Sequence, residues 1–412
     1  MNWPCKNQIL YIRPNMNKRA KLLFLYTNIG RGHPFYLDGI AEALVRSGKT
    51  GLIRQSKDVF ELSGTIGRQV WNLARIAYQH GASDNWLGRA YSRLRRGGDY
   101  NRNSLLLSLA GRGILKQFES SNADYTLVAH PILVGILKGR PRLIYQHGEL
   151  VAPDESLVRG AEKVLVPTSD VAERFINSGY KEEEVIVTGL CIEPSLVRQA
   201  KDVHELRQNR YENADSLTGA LFSSGAEPKG HVEKLIAVAH SLVEAGQRAV
   251  VVCREKGRLD NEITSMAKAA GYIYATVTNR SEIPYDLPLL TIVRAVDRRD
   301  ESRLVAQLFP SFDFVVAPPH ERTNWGLGLG LPFFAITPCY GSFAPLNLEL
   351  LLHRQVAFTV DSVSEATRFA SNLERLRKEG ELSRRATNGW GQLPINGFAT
   401  IADWLSQTLE PE

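Results

Sequence analysis

Apolar residues in this chain fall into short blocks that alternate with helical stretches from residue 21 almost to the end. Lys21 to Thr27 has the density of a parallel strand buried on both faces. It runs into a glycine-containing turn, Gly30-Arg31-Gly32-His33, and then into a helix pattern with Phe35, Ile40, Ala43 and Leu44 as apolar positions. Strand, glycine turn and helix open a nucleotide-binding βα unit: glycines admit close backbone approach, and the helix start offers N–H groups. The rhythm recurs in GLIRQSKDVF (51–60), DYTLVAHP (124–131), RLIYQHGEL (142–150), EKVLVPTSDVAERFINSGY (162–180) and EEVIVTGL (183–190). A charged helical stretch at 194–216 separates it from a second series. There TGALF leads through Ser-Ser-Gly into a long helix, AVVVC (249–253) and LTIVRAV follow, and 311–360 reads strand, loop, short helix, strand, loop, helix, strand. Two closing helices are predicted at roughly 363–379 and 396–409.

That order predicts an α/β protein of two Rossmann-like, doubly wound domains facing across a cleft, with C-terminal helices. The expected boundaries are 21–195, a connector at 196–217, a second domain at 218–395 and a last helix in 396–412. Residues 1–20 lack the apolar core of a signal peptide and are expected to be a disordered extension, with Met16 as an alternative start.

The glycine turn is not the dinucleotide fingerprint, because Phe35 stands where a third glycine is required. His33 follows the first strand, at the end where open α/β sheets place their chemistry, and is the first candidate for catalysis. The bland alternative makes Gly30 and Gly32 a tight turn and His33 a solvated cap. His130, His147 and Glu149 also follow strands, and a parallel sheet makes such strand ends neighbours.

Composition narrows the class. With 43% apolar and 23% charged residues over 412 positions, the chain has material for two cores. No apolar run approaches the roughly 18 residues of a membrane span. The four cysteines are far apart and form no metal-type pair, which predicts a reducing, cytoplasmic setting and no metal. The net charge of +6 is carried by the first half of the chain. Between residues 50 and 116 there are 11 Lys and Arg against 4 Asp and Glu. This stretch holds helical patterns (Val70, Leu73, Ala74, Ala77; Trp86, Leu87, Ala90, Tyr91) in which arginines lie beside Trp and Leu. Such helices suit an anionic membrane surface, and so a peripheral position on the cytoplasmic face of the inner membrane. The alternative packs them on the sheet with their arginines solvated. No recognisable module supports nucleic-acid binding.

Several of these residues together resemble GT-B glycosyltransferases of the branch holding monogalactosyldiacylglycerol synthases, processive diacylglycerol glucosyltransferases and the lipid II-forming N-acetylglucosaminyltransferase. They are the Gly30-Arg31-Gly32-His33 turn, His130-Pro131, Gly148-Glu149-Leu150, and above all VLVPTSDVAERFINSGYKEEEVIVTGLCIEPSL (164–196). Phe222 to Gly230 is similar to the family's second glycine turn, and Val252-Cys253-Arg254 to its Cys-Gly-Arg. The family's donor signature falls on Pro319-His320-Glu321-Arg322, where prolines replace glycines. The resemblance implies inverting transfer of a sugar, UDP-linked, to a lipid or other hydrophobic acceptor, without a cofactor. It implies His33 as base with Glu149 orienting, and Gly30, Gly32, His130 and His147 on the acceptor side. On the donor side it implies the N–H groups at Gly225 and Ala226, the cations Arg254 and Arg322, and Thr323, Asn324, Trp325 and Asn347. A non-catalytic binding relative and a nucleotide-sugar epimerase are the alternatives.

Overall fold

The computed structural model describes residues 21–27, 32–81, 100–102, 105–121, 123–279, 283–284 and 286–409. The expectations for residues 1–20, for Gly30 and Arg31, and for Trp86, Leu87, Ala90 and Tyr91 lie outside the described residues.

Two parallel sheets organise the protein. The first comprises β1 (Leu22–Tyr26), β2 (Ile53–Asp58), β3 (Tyr125–Val128), β4 (Leu143–Gln146), β5 (Lys163–Val166) and β6 (Val185–Val187), ordered β2-β1-β3-β4-β5-β6. The second comprises β7 (Thr218–Phe222), β8 (Arg248–Arg254), β9 (Tyr274–Val277), β10 (Leu290–Ala295), β11 (Phe314–Ala317), β12 (Phe333–Ile336) and β13 (Ala357–Val360). Its order is β13-β12-β11-β7-β8-β10-β9. Period-two alternation splits each strand between two cores. In β1, Leu23 and Leu25 enter one cluster while Leu22 and Phe24 enter the other. In β8, Val250 and Val252 face opposite to Val251 and Cys253. Burial on both faces is why these strands read as unbroken apolar runs.

Two elements depart from the sequence expectation. β9 was not foreseen; it is an edge strand, only partly buried, so it lacks the apolar run of its neighbours. The closing region holds helices Val363–Thr367, Phe369–Lys378 and Glu381–Gly389 before the last helix, not one helix. Gly380, in the left-handed conformation, breaks the second from the third.

The helix Ala200–Asn213 docks on the second sheet through Arg207. This residue is fully buried, and its guanidinium donates to the carbonyls of Phe312, Leu329 and Gly330, each at 3.0 Å. The chain crosses between the sheets at 190–193 and again at 394–397. The crossings are tied by Leu190 N–H to Pro394 O (2.7 Å) and Gly397 N–H to Leu190 O (3.0 Å). The last helix, Gly397–Leu409, thereby returns to the first sheet, where Phe398, Ile401 and Leu405 share a core with Leu37, Ile40 and Leu44. Gly39 makes room for it: a Cβ there would lie 2.2 Å from the Phe398 ring.

Candidate active site

Because all strands within each sheet are parallel, their carboxyl ends gather on one edge, and the loops there build the site. His33 lies in the first turn of helix Gly32–Arg46. Its Nδ1 is 2.8 Å from the carbonyl of Ala129, just after β3. A carbonyl only accepts, so Nδ1 carries the proton and Nε2 the lone pair. The His130 ring lies 4.3 Å from the His33 ring, centroid to centroid. His130 caps helix Pro131–Leu137 by accepting from Ile132 N–H at Nδ1 (3.1 Å), and Pro131 loses nothing at the first helical position. The two imidazoles therefore meet as the turn after β1 meets the end of β3.

His147 is built differently. It is buried, its Nε2 donates to Val151 O (3.0 Å), and its Nδ1 faces the Tyr145 hydroxyl at 3.2 Å. Phe175 and, from the opposite domain, Phe343 pack against its ring. Burial lowers it to about 4, so it is a neutral brace for the 147–151 loop. Two residues on, Glu149 is held beside the Tyr36 hydroxyl, Asn347 and Glu321. Tyr36 lies one helical turn beyond His33 on the same face. Gly148 lets the Tyr36 ring approach, since a Cβ there would fall 2.2 Å from it. Burial, then the neighbouring Glu321 charge, raise Glu149 to about 8, against the hydrogen bonds from Tyr36 and Asn347.

The facing wall belongs to the second domain. Arg322 sits over the Phe222 ring (4.0 Å), pairs with Glu301, and reaches Glu321 at 3.3 Å. Trp325, 2% exposed, packs edge-on to Phe222 and donates its indole N–H to Glu193 at 3.1 Å. Burial raises the Glu193 carboxyl. Thr323 donates to His320 O (2.7 Å), Asn324 to Cys191 O (3.1 Å), and Asn347 to Pro319 O (3.1 Å), so these three hold loops and the crossing strand in place. Gly225 and Ala226 form the turn after β7. Arg254, half-exposed at the end of β8, is 3.9 Å from Glu227. The Glu227 carboxylate accepts the Arg258 backbone N–H (2.6 Å) at the start of helix Arg258–Ala269.

The structure thus brings His33 and His130 together, and it joins Glu149 to Asn347 across the cleft. It leaves Arg254 apart, on the β8 loop with Glu227. Sequence reasoning passed over Tyr36, Glu193, Glu301, Glu321 as an acid, and the Asp38–Arg298 and Asp38–Arg299 pairs that tie the domains. Tyr36 had a signal in its helical spacing from His33; the pairs across the cleft had none. Among the described residues, no group of three or more His, Cys, Asp or Glu could hold a metal ion, and no helix is long and apolar enough to cross a membrane.

No family model matches the chain. A probable monogalactosyldiacylglycerol synthase, chloroplastic, of Glycine max is 29% identical over 106 residues, which is 24% of this chain and 20% of that protein's length. Among solved structures, the UDP-GlcNAc 2-epimerase of Neisseria meningitidis bound to UDP-GlcNAc superposes with a TM-score of 0.54 at 12% identity, over 94% of this chain and 100% of that one. MnaA of S. aureus with UDP gives 0.55 at 11%, over 95% and 98%. MurG of Acinetobacter baumannii gives 0.53 at 14%, over 94% and 99%. At such identities the likeness is one of fold. The chain has the GT-B fold, with two Rossmann-like domains facing across a cleft.

Proposed function

We propose that the protein transfers a sugar, with inversion, from a UDP-linked donor to a lipid or other hydrophobic acceptor, with His33 as the general base. The observation that carries this reading is the Nδ1–H contact of His33 with Ala129 O, which puts the lone pair on Nε2. An acceptor hydroxyl delivered to that nitrogen gives up its proton as the sugar–phosphate bond breaks, and the electron pair of that bond leaves with the nucleotide. Two proteins that share the fold carry UDP-GlcNAc or UDP in their structures, which supports a nucleotide-sugar donor. The donor's phosphates meet the Gly225–Ala226 turn and Arg254, while Arg322 must exchange a carboxylate for a phosphate to take part. Gly32 and His130 border the acceptor side.

A hydrophobic acceptor is supported by helix Thr65–Gly81. It buries Trp71 but leaves Ile66, Leu73 and Ile76 at 58%, 65% and 49% exposure on one face. Arg68 and Arg75 of this helix reach back to Phe60, Arg68 to its carbonyl (3.1 Å) and Arg75 over its ring (3.8 Å). An apolar stripe of that kind suits insertion into a membrane surface.

The test is product analysis by NMR of a UDP-sugar incubated with the protein and anionic vesicles containing diacylglycerol. Transfer gives UDP and a glycolipid of inverted anomeric configuration, and His33→Ala lowers turnover by about 10²-fold or more while the melting temperature holds. Full turnover in that variant removes His33 from the mechanism. A donor altered at C2 without an acceptor marks an epimerase, and calorimetry showing no UDP binding marks a scaffold.

A further inference from the structure

The turns after β7 and β8 stand side by side, because the two strands pair in parallel as far as Phe222 and Val252. The first turn is closed by Glu227 N–H donating to Ser224 O (3.1 Å), with Gly225 and Ala226 as its central residues. The second is closed by Gly257 N–H donating to Arg254 O (2.9 Å). Glu227 joins the two turns twice. Its carboxylate accepts the Arg258 backbone N–H (2.6 Å), and its own carbonyl accepts from the Arg258 guanidinium (2.9 Å). Gly257 leaves the space for this contact: a Cβ there would lie 2.7 and 2.9 Å from the two carboxylate oxygens. Arg254 approaches the same carboxylate to 3.9 Å.

A glutamate is a costly residue for this turn. Its φ is +45°, a left-handed conformation that glycine adopts easily and that a Cβ resists. It is also 7% exposed, so a carboxylate has been taken out of water. The double tie to Arg258 offsets both terms. Gly257, the N-cap of helix Arg258–Ala269, has no side chain to cap with, so the cap reaches in from the neighbouring turn and fixes one turn to the other. We propose that Glu227 is a positioning residue for the donor's diphosphate: it holds the Ser224–Glu227 turn, with Gly225 and Ala226 at its centre, against the start of helix Arg258–Ala269 and beside Arg254. This deepens the donor side of the transferase reading and rests on it. An anion that meets a turn already fixed avoids the entropy cost of ordering it. The hydrogen bond and not the charge carries this role, since a negative group beside the phosphates would itself repel them.

The experiment uses the full chain, with UDP as the probe in calorimetry and amide hydrogen exchange over 223–230 without nucleotide. Glu227→Gly suits the left-handed φ and removes the tie. Exchange over 223–230 is expected to quicken by about ten-fold or more, and the UDP dissociation constant to rise by about as much, with donor KM changing more than kcat. Glu227→Gln keeps an oxygen acceptor for Arg258 N–H and is expected to stay within about two-fold of the wild type in exchange and to bind UDP at least as tightly. A helix cap with no part in binding would move exchange and melting temperature but not UDP affinity, and that result in Glu227→Gly overturns the proposal. A Glu227→Gln variant as impaired as Glu227→Gly does the same. If Glu227→Gly does not fold, Gly257→Ala decides: at an ordinary φ of −70° its Cβ displaces the carboxylate, and wild-type UDP affinity in that variant overturns the proposal. A wild-type protein that binds UDP yet transfers no sugar sinks the transferase reading alone; one that binds no UDP sinks both.

Discussion

Gly148→Ala tests the geometry of the cleft at one atom. The added Cβ would lie 2.2 Å from two carbons of the Tyr36 ring and 2.7 Å from a third. Ordinary carbon contact begins near 3.5 Å, so the ring, the 147–151 loop, or both must shift by about 1 Å. Neither is free to do so cheaply. Tyr36 is 1% exposed, and the loop is anchored through His147 to Val151 O. Overpacking of this kind costs about 1–3 kcal/mol. In a domain of this size that lowers the melting temperature of the first domain by roughly 2–10 °C. The functional loss should exceed the stability loss, because Tyr36 and Glu149 separate while His33, one turn away, keeps its bond to Ala129. Differential scanning calorimetry and a UDP-release assay on the same preparation read both quantities. A variant with wild-type melting and wild-type turnover would show that Tyr36 does not pack on Gly148 as described.

Two further outcomes follow from single side chains. Arg207→Met removes the donor shared by the carbonyls of Phe312, Leu329 and Gly330 and is expected to cost the second domain about 1–3 kcal/mol, read as a lower urea midpoint; a wild-type midpoint would mean that helix Ala200–Asn213 does not depend on this guanidinium. Leu73→Asp puts a charge on the exposed face of helix Thr65–Gly81 and is expected to weaken co-sedimentation with anionic vesicles by about ten-fold or more. If the wild-type protein itself stays in the supernatant at low salt, that face is not a membrane contact.

The sheets were legible because parallel strands buried on both faces leave apolar runs in the sequence, as at Leu22–Tyr26 and Arg248–Arg254. The half-buried edge strand β9 leaves none, and it escaped notice. His33, His130 and Glu149 were legible for a topological reason: each follows a strand, and neighbouring parallel strands deliver their ends to one edge. The roles of His147 and Trp325 were not. Nothing local reveals that His147 spends both nitrogens on its own loop and on Tyr145, or that the Trp325 indole is claimed by Glu193. Helix Thr65–Gly81 shows the same limit: its helical spacing was plain, yet which face turned to solvent depended on Phe60 drawing Arg75 over its ring.

The charge balance of the cleft ties these points to binding. On the proposed reading, a nucleotide diphosphate would carry negative charge into a wall that already holds Glu193, Glu301 and Glu321, and two guanidiniums there are engaged, Arg322 with Glu301 and Glu321, Arg298 with Asp38. Like charges at such separations in a partly dry site cost several kcal/mol unless protons or new pairs offset them. Two of the carboxyls, Glu149 and Glu193, are shifted toward the neutral form by burial. The prolines at 318 and 319 remove backbone donors that a glycine loop would offer a phosphate. The shift of Glu149 and Glu193 toward the neutral form lowers the negative charge that the cleft presents. On the proposed reading, a cleft that kept all its acids ionised would repel the diphosphate of a nucleotide-sugar donor.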